Sequence, residues 1–177
     1  MPQQLKLFIS YRQADEKAFV EHIRTHFVFR YGRENVFMDF DSIPEFEQFE
    51  AFIRQKISEV DVVIAIIGHR WQSIWDEKAA AGKTDYVRIE IETAQKLDKL
   101  IAPICILNAP LPDIDRLPQA LRSIFDTNAG RLRDGRDVMD NAQRLMDRIE
   151  AALVKRGAVR SAANPDAAAQ LETTMTT

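Results

Sequence analysis

Three carboxylates lie close together in TDYVRIEIETAQ, which covers residues 84–95. If this stretch is a helix that begins after Asp85, a good N-cap residue, the rotation of about 100° per residue separates the other two acids. Glu92 then lies on a polar, solvated side, whereas Glu90 lies within an apolar stripe. A carboxylate on an inward face near a helix N-terminus is costly unless it has partners or a task. Glu90 is therefore the candidate functional carboxylate.

The same rotation sorts the rest of this stretch into two sides. The inward side comprises Tyr86, Val87, Glu90, Ile91, Ala94 and Leu97, and the outward side comprises Arg88, Glu92, Gln95 and Lys99. A structural role for Glu90 is also open, because Arg12, Arg54 or backbone amides beneath a loop could hold its carboxylate. The pattern alone does not choose between the two roles.

Other chemical motifs are weaker. The chain has six glycines and contains neither G-x-G-x-x-G nor G-x-x-x-x-G-K-[ST], which argues against a hydride-transferring dehydrogenase and a P-loop NTPase. The acidic pair of a phosphoryl-accepting receiver domain is absent, because Ser10, Tyr11 and Arg12 follow the first apolar run. His22 and His26 have a spacing that could hold a metal, but no further ligand pattern completes a site, so a solvated helix face is expected.

Composition narrows the class of protein. Cys105 is the single cysteine and lies in an apolar run, so a buried packing thiol is expected rather than a nucleophile, and nothing argues for an oxidising compartment. The 24 basic and 27 acidic residues give a net charge of -3, which offers no field for nucleic acid or an anionic membrane. The N-terminus lacks a signal-peptide pattern, and no apolar run is long enough to cross a bilayer. We expect a cytoplasmic protein.

The elements that must position these residues are predicted from four apolar runs. The runs are LKLFIS (5–10), NVFMDF (35–40), VDVVIAIIG (60–68) and LIAPICIL (100–107), and they are typical of strands buried on both faces. Segments 14–30 and 46–60 between them carry apolar residues at helical spacing. Alternating strands and helices predict an α/β fold with a parallel sheet, whose ligands gather at the carboxyl ends of the strands. The residues to examine there are Tyr11, Arg12, 39–49, 68–75 and those from Asn108 onward.

The C-terminal third is predicted with fewer signals. A helix is expected at about 137–155, and a short fifth strand within SIFDTNAGRL (123–132). From residue 156 onward small and polar residues replace large apolar ones, so residues 156–177 are expected to form a disordered tail or linker after a domain of residues 1–155.

Five motifs taken in order resemble a Toll/interleukin receptor (TIR) domain of the bacterial type. They are LFISYRQADEKAFVEHIRTHF, VFMDFDSIPEFEQFEAFIRQKI, DVVIAIIGHRW, DYVRIEIETAQ and IAPICIL, and the similarity runs from about residue 5 to 153. The resemblance implies a flavodoxin-like fold with a five-stranded parallel sheet and helices on both faces. It also implies one of two functions: cleavage of NAD+ by a glycohydrolase or cyclase, or a scaffold that works through TIR–TIR contacts.

The resemblance assigns roles to particular residues. The family's W-V-x-x-E-[IL] pattern matches YVRIEI, which places the catalytic role on Glu90 and puts Tyr86 where tryptophan is usual. By position it also implies substrate contacts at Tyr11, Arg12, Phe49 and Trp71, in addition to Tyr86; core packing is the alternative for Phe49, and covering the sheet end is the alternative for Trp71. In the loop after the second strand, Phe46 replaces the glycine of Pro-x-Gly, which leaves the behaviour of that loop open.

The function expected from these roles is NAD+ cleavage by Glu90, with NAD+ as substrate, no cofactor and no metal. Arg12 would pair with the diphosphate. Self-association through TIR–TIR contacts, possible contacts with other TIR proteins, and a setting in antiphage defence or as an effector follow from the resemblance. A non-catalytic interaction module is the alternative, and a nucleoside deoxyribosyltransferase-like enzyme with a glutamate nucleophile is a third.

Overall fold

The computed structural model describes residues 5–38 and 48–163, the last six of them by backbone alone. In these ranges helices connect the successive strands, with two helices between the third and fourth strands. The strands are β1 (Leu7–Ser10), β2 (Val36–Met38), β3 (Val62–Ile67), β4 (Leu100–Ile106) and β5 (Gly130–Leu132). The helices are α1 (Lys17–Tyr31), α2 (Phe49–Glu59), α3 (Trp71–Ala80), α4 (Tyr86–Lys96), α5 (Gln119–Phe125) and α6 (Val138–Ala163).

All five strands belong to one parallel sheet in the order β2-β1-β3-β4-β5. Leu7 of β1 lies opposite Val36 of β2 on one side and opposite Val62 of β3 on the other. This order is the flavodoxin-like one, in which the strand order reverses direction beside β1 and β3. The predicted fold class is therefore confirmed, and the carboxyl ends of β1 and β3 are the expected location of a ligand site.

Both faces of the sheet are covered. All six residues of β3 are buried, although alternate side chains point to opposite faces. The face that carries Val63, Ala65 and Ile67 contributes to two core clusters. Most of the other buried members of these clusters come from α2, α3, α4 and α5, and the neighbouring strands β1 and β4 contribute Phe8 and Cys105. The central strand is thus buried as the continuous apolar run predicted.

The elements between β3 and β5 differ from the prediction. Residues 68–75 were singled out only as the segment that follows β3, and no helix was predicted there, but α3 begins at Trp71. The short fifth strand lies within the predicted segment, at Gly130–Leu132, and the first part of that segment completes α5, which was not predicted. Leu97 was placed on the inward side of a longer helix; α4 ends at Lys96, and Leu97 is 43% exposed.

The last helix is longer than predicted. It continues to Ala163, so residues 156–163 are helical, while residues 164–177 lie outside the described part of the chain. The chain divides into two compact units, the first ending at Gln143 and the second beginning at Arg144. The predicted domain boundary after residue 155 stays a prediction. Among the described residues, no helix is both long enough and apolar enough to cross a membrane.

Candidate active site

Glu90 lies on α4 and faces the carboxyl end of β1. Its side chain is buried, with only 3% of the residue exposed. Ser10, the last residue of β1 and itself buried, donates a hydrogen bond from Oγ to Glu90 Oε2 at 2.5 Å. This hydrogen bond gives one oxygen of the buried carboxylate a partner and holds it at the end of β1. The predicted inward orientation of Glu90 is confirmed, and Ser10 is a partner that the sequence patterns did not indicate.

A second buried pair joins the loop after β1 to the start of α4. The two terminal nitrogens of Arg12 each donate to one Asp85 oxygen at 2.9 Å, which is the bidentate geometry of a guanidinium and a carboxylate. Asp85 does occupy the N-cap position of α4, but its side chain makes no capping bond. The predicted N-cap position of Asp85 is confirmed, but both of its side-chain oxygens accept from Arg12 instead of from the first turn of α4.

Trp71 begins α3 and lies beneath this pair. Its residue is 1% exposed, and its ring packs 5.3 Å from the rings of both Trp75 and Phe125. The Arg12 guanidinium lies 5.0 Å from the Trp71 ring centre, within cation–π range. Trp71 therefore packs in the core and supports Arg12. This agrees with the alternative in which Trp71 covers the end of the sheet. The ring is too deeply buried to make the substrate contact that the resemblance implied.

A cleft of about 420 Å³ opens beside the pair of Arg12 and Asp85. It is lined by Tyr11, Arg12, Gln13, Ala14, Phe49, Ile74, Lys78, Asp85, Tyr86 and Val87. Its volume is within the range of small-molecule sites. Four of the predicted contact residues therefore meet at one cleft, and these are Tyr11, Arg12, Phe49 and Tyr86.

Two aromatic rings form one side of the cleft. Phe49, the first residue of α2, is 44% exposed, so core packing does not account for it. Its ring centre lies 5.2 Å from that of Tyr86, with the planes tilted by 31°. Such a pair offers an apolar surface suited to a flat heterocycle.

Glu90 lies next to the cleft rather than in its described lining. Tyr86 and Val87, which line the cleft, precede Glu90 by about one turn of α4. On the strand side, Ser10 holds Glu90 and is followed directly by Tyr11 and Arg12 of the lining. The Glu90 carboxylate is thus connected to the cleft through α4, which carries it, and through β1, which carries its partner Ser10.

Comparison with known proteins identifies the family. A model described as "TIR domain" matches residues 7–146, which is most of the chain. The chain belongs to the TIR domain family. No curated protein matches this TIR domain.

Solved structures also align with this chain. The TIR domains in the structure of the activated Roq1 resistosome directly recognizing the pathogen effector XopQ align with a TM-score of 0.60 at 14% sequence identity. That alignment covers 82% of this chain and 99% of the other. A prokaryotic SEFIR domain aligns with a TM-score of 0.43 at 17% identity, covering 81% of this chain and 96% of that one.

The two loops of the TIR domain that follow β1 and β3 are joined by Asp15. This buried side chain accepts a hydrogen bond from the backbone N–H of Arg70 at 3.1 Å, just before α3 begins. The Arg70 side chain donates in return to the carbonyl oxygen of Ala14 at 3.1 Å. Sequence reasoning missed this contact, because Asp15 reads as an ordinary polar loop residue and its partner is 55 positions away.

The remaining candidates have the following positions. Glu92 is paired with Arg88 at 2.8 Å on the outer side of α4, where it was predicted. Burial raises the pKa of the Cys105 thiol, which opposes a nucleophilic role. Phe46 and the other residues of 39–47 lie outside the described part of the chain.

The two histidines of α1 contact each other. The rings of His22 and His26 are 5.1 Å apart and nearly perpendicular. Burial lowers the pKa of His26, and the nearby His22 lowers it further. In the described ranges, no cluster of three or more histidine, cysteine, aspartate or glutamate side chains could hold a metal ion.

Proposed function

We propose that this TIR domain cleaves the nicotinamide–ribose bond of NAD+, with Glu90 as its catalytic carboxylate. The observation that supports the proposal is the buried Glu90 side chain, held by Ser10 at the switch point of the sheet and next to a ring-lined cleft. NAD+ is the substrate here, and the proposal includes no cofactor and no metal.

One carboxylate is enough for this chemistry. Ordinary glycoside hydrolysis uses two carboxyl groups, because a poor leaving group must be protonated. Nicotinamide leaves NAD+ as a neutral molecule from a cationic one, so no general acid is required. As the bond lengthens, positive charge develops on the ribose, and the Glu90 carboxylate stabilises it while accepting hydrogen bonds from ribose hydroxyls.

The rings of the cleft supply the binding surface. Phe49 and Tyr86 line it and offer faces to adenine or to the pyridinium cation, at about 0.5 to 2 kcal/mol for each ring. Tyr11 also lines the cleft, but it is only 4% exposed and so offers little ring surface to a ligand. Water capture of the ribosyl cation gives ADP-ribose, and capture by an adenine nitrogen gives cyclic ADP-ribose. The proposal includes both outcomes, since exclusion of water decides between them.

The test compares two acids of the same helix. We expect Glu90→Gln to lower nicotinamide release from NAD+ by roughly 100-fold or more, because the developing charge loses its counter-charge. Glu92→Gln is the matched control and should retain activity near that of the wild type, since Glu92 pairs with Arg88 on the outer side of α4. Chromatographic measurement of nicotinamide and of both ADP-ribose products reads the result. Undiminished turnover by Glu90→Gln would contradict the assignment.

A second candidate function is a scaffold that self-associates and contacts other TIR proteins. The observation that favours it is the closed pairing of the site: Arg12 binds Asp85 and Glu90 accepts from Ser10, as a purely structural arrangement would require. The fold is shared with TIR domains in an activated resistosome, an assembled state. Self-association by sedimentation, together with no nicotinamide release by wild-type protein even when clustered, would favour the scaffold.

The setting we propose follows the same resemblance. It is a cytoplasmic role in bacterial antiphage defence or as a host-directed effector, with activity that rises on self-association. A specific activity that increases with protein concentration would support gating by assembly.

A further inference from the structure

We infer that Lys78 is the cation of the cleft that binds the diphosphate of a nucleotide, a role the sequence patterns assigned to Arg12. The inference deepens the proposed function and takes its substrate class from it, but it rests on the charges and contacts of the cleft. The ligand class is a nucleoside diphosphate, either free or as half of a dinucleotide.

Arg12 is committed elsewhere. Both of its terminal nitrogens donate to Asp85, the pair is almost fully buried, and the Trp71 ring lies against the guanidinium. A phosphate could capture Arg12 only by leaving a buried carboxylate unpaired, which is strongly unfavourable. Arg12 therefore contributes little positive charge to a ligand in the cleft.

Lys78 carries the charge that remains. The described lining contains two cations and one carboxylate, and the carboxylate is the Asp85 partner of Arg12. The ion pairs of the described residues include no partner for Lys78. Its ammonium donates to the carbonyl oxygen of Thr84 at 3.3 Å, which holds it beside the segment that leads into α4. An ammonium has three donors, so further hydrogen bonds are available for an anion.

The rest of the cleft suits the remainder of such a ligand. Phe49 and Tyr86 present a ring surface in the same cleft as Lys78, and its volume of about 420 Å³ is within the range of small-molecule sites. In a nucleotide ligand, the flat base would pack on the Phe49 and Tyr86 rings and the diphosphate would bind the Lys78 ammonium, so the ligand would use both features of the cleft. A neutral or cationic ligand would use only one of them.

The experiment measures ADP binding by calorimetry. We expect Lys78→Gln to weaken ADP affinity roughly tenfold, because a hydrogen bond to a charged group is lost, and Lys78→Arg to retain most of it. Adenosine, which lacks phosphate, should bind both proteins equally. Lys83→Gln is the matched control, since Lys83 is an exposed lysine of the following turn that does not line the cleft.

The outcomes separate this inference from the proposed function. Unchanged ADP affinity in Lys78→Gln, or no ADP binding by the wild-type protein, overturns the role of Lys78 even if NAD+ is cleaved. A Lys78-dependent ADP affinity in a protein that releases no nicotinamide supports the diphosphate site and contradicts the catalytic role of Glu90. An equal loss in Lys83→Gln would show that general surface charge is responsible, and would also overturn the inference.

Discussion

Gly68 lies where an added side chain would meet the buried carboxylate of Asp15. A Cβ atom added there would lie 2.4 to 2.5 Å from the carboxylate atoms of Asp15, the side chain that joins the loops after β1 and β3. Because Asp15 is buried and accepts from the Arg70 backbone, it has little room to move. We expect Gly68→Ala to lower the free energy of unfolding by about 1–3 kcal/mol, measured by urea denaturation.

A second glycine provides the control. Gly157 lies within α6, and an added Cβ there has no neighbouring atom within 4 Å. Gly157→Ala should leave stability unchanged or raise it by up to about 1 kcal/mol, because alanine is the better helix former. Equal stability of the two variants would show that the Asp15 contact does not restrict position 68.

Single residues of the site could be predicted only where the spacing of neighbouring apolar residues distinguishes them. Glu90 stood out because α4 is amphipathic, so a carboxylate within its apolar stripe is visible in the spacing of neighbours. Its donor Ser10 is 80 positions away, and Arg12 is 73 positions from Asp85. Such pairs leave no mark in a local pattern, which is why Arg12 was expected to pair with a diphosphate and not with Asp85.

At the scale of elements, the bond between Arg12 and Asp85 fastens the loop after β1 to the first turn of α4. We expect Asp85→Asn to lower the free energy of unfolding by about 3–5 kcal/mol, because a buried guanidinium loses its counter-charge. Chemical denaturation of the wild-type and variant proteins measures this loss of stability. Because the ion pair joins the loop after β1 to α4, its loss should also reduce any activity that depends on Glu90.

The double substitution Arg12→Met with Asp85→Leu tests the origin of that cost. Replacing both partners by apolar residues removes the buried charges together, so most of the stability should return. If the double variant is as unstable as Asp85→Asn, lost packing against Trp71 would be the cause and the electrostatic explanation would fail.

Strands and helices were predicted from the sequence where a long run of residues has one burial pattern, and they were missed where the segment is short. The strand β3 is buried on both faces, and its run of apolar residues reports that directly. Helix α3 was missed although Trp71, Ile74 and Trp75 have helical spacing and are all buried. Its segment is short and was considered only as the residues that follow a strand. Helix α5 spans only Gln119–Phe125 and gives too few repeats for a period to emerge.

For the molecule as a whole, His26 links stability to pH. Its pKa is lowered from the ordinary value of 6.5, first by burial and then by His22. As pH falls below that value, the unfolded chain takes up the proton before the folded one does, so the free energy of unfolding decreases. We expect the decrease between about pH 7.5 and 5.5 to be smaller in His26→Gln, measured by denaturant unfolding at each pH.

His22→Gln gives an intermediate case. It removes the second cause of the His26 shift and leaves the burial, so its dependence on pH should lie between those of the wild type and His26→Gln. Identical pH dependence in all three proteins would mean that His26 does not contribute to this linkage.

The whole fold was the most predictable level, and the function the least. Alternation of apolar runs and amphipathic segments leads to a parallel α/β sheet through the rules of strand connection, and the order observed agrees. That sheet hosts many unrelated activities, so function must be argued from Glu90, its Ser10 bond and the cleft beside them.

The stacked indoles of α3 give the protein an optical property. The chain has two tryptophans, and their rings stack at 5.3 Å in one buried place. Arg12 lies over the first ring and Arg88 over the second, at 5.0 and 5.4 Å. Intrinsic emission therefore comes from a single location in contact with the cleft-lining Arg12. A nucleotide bound in the cleft beside Arg12 would change the electric field at the indole without displacing the guanidinium, so its binding could be followed by emission wavelength without any added label.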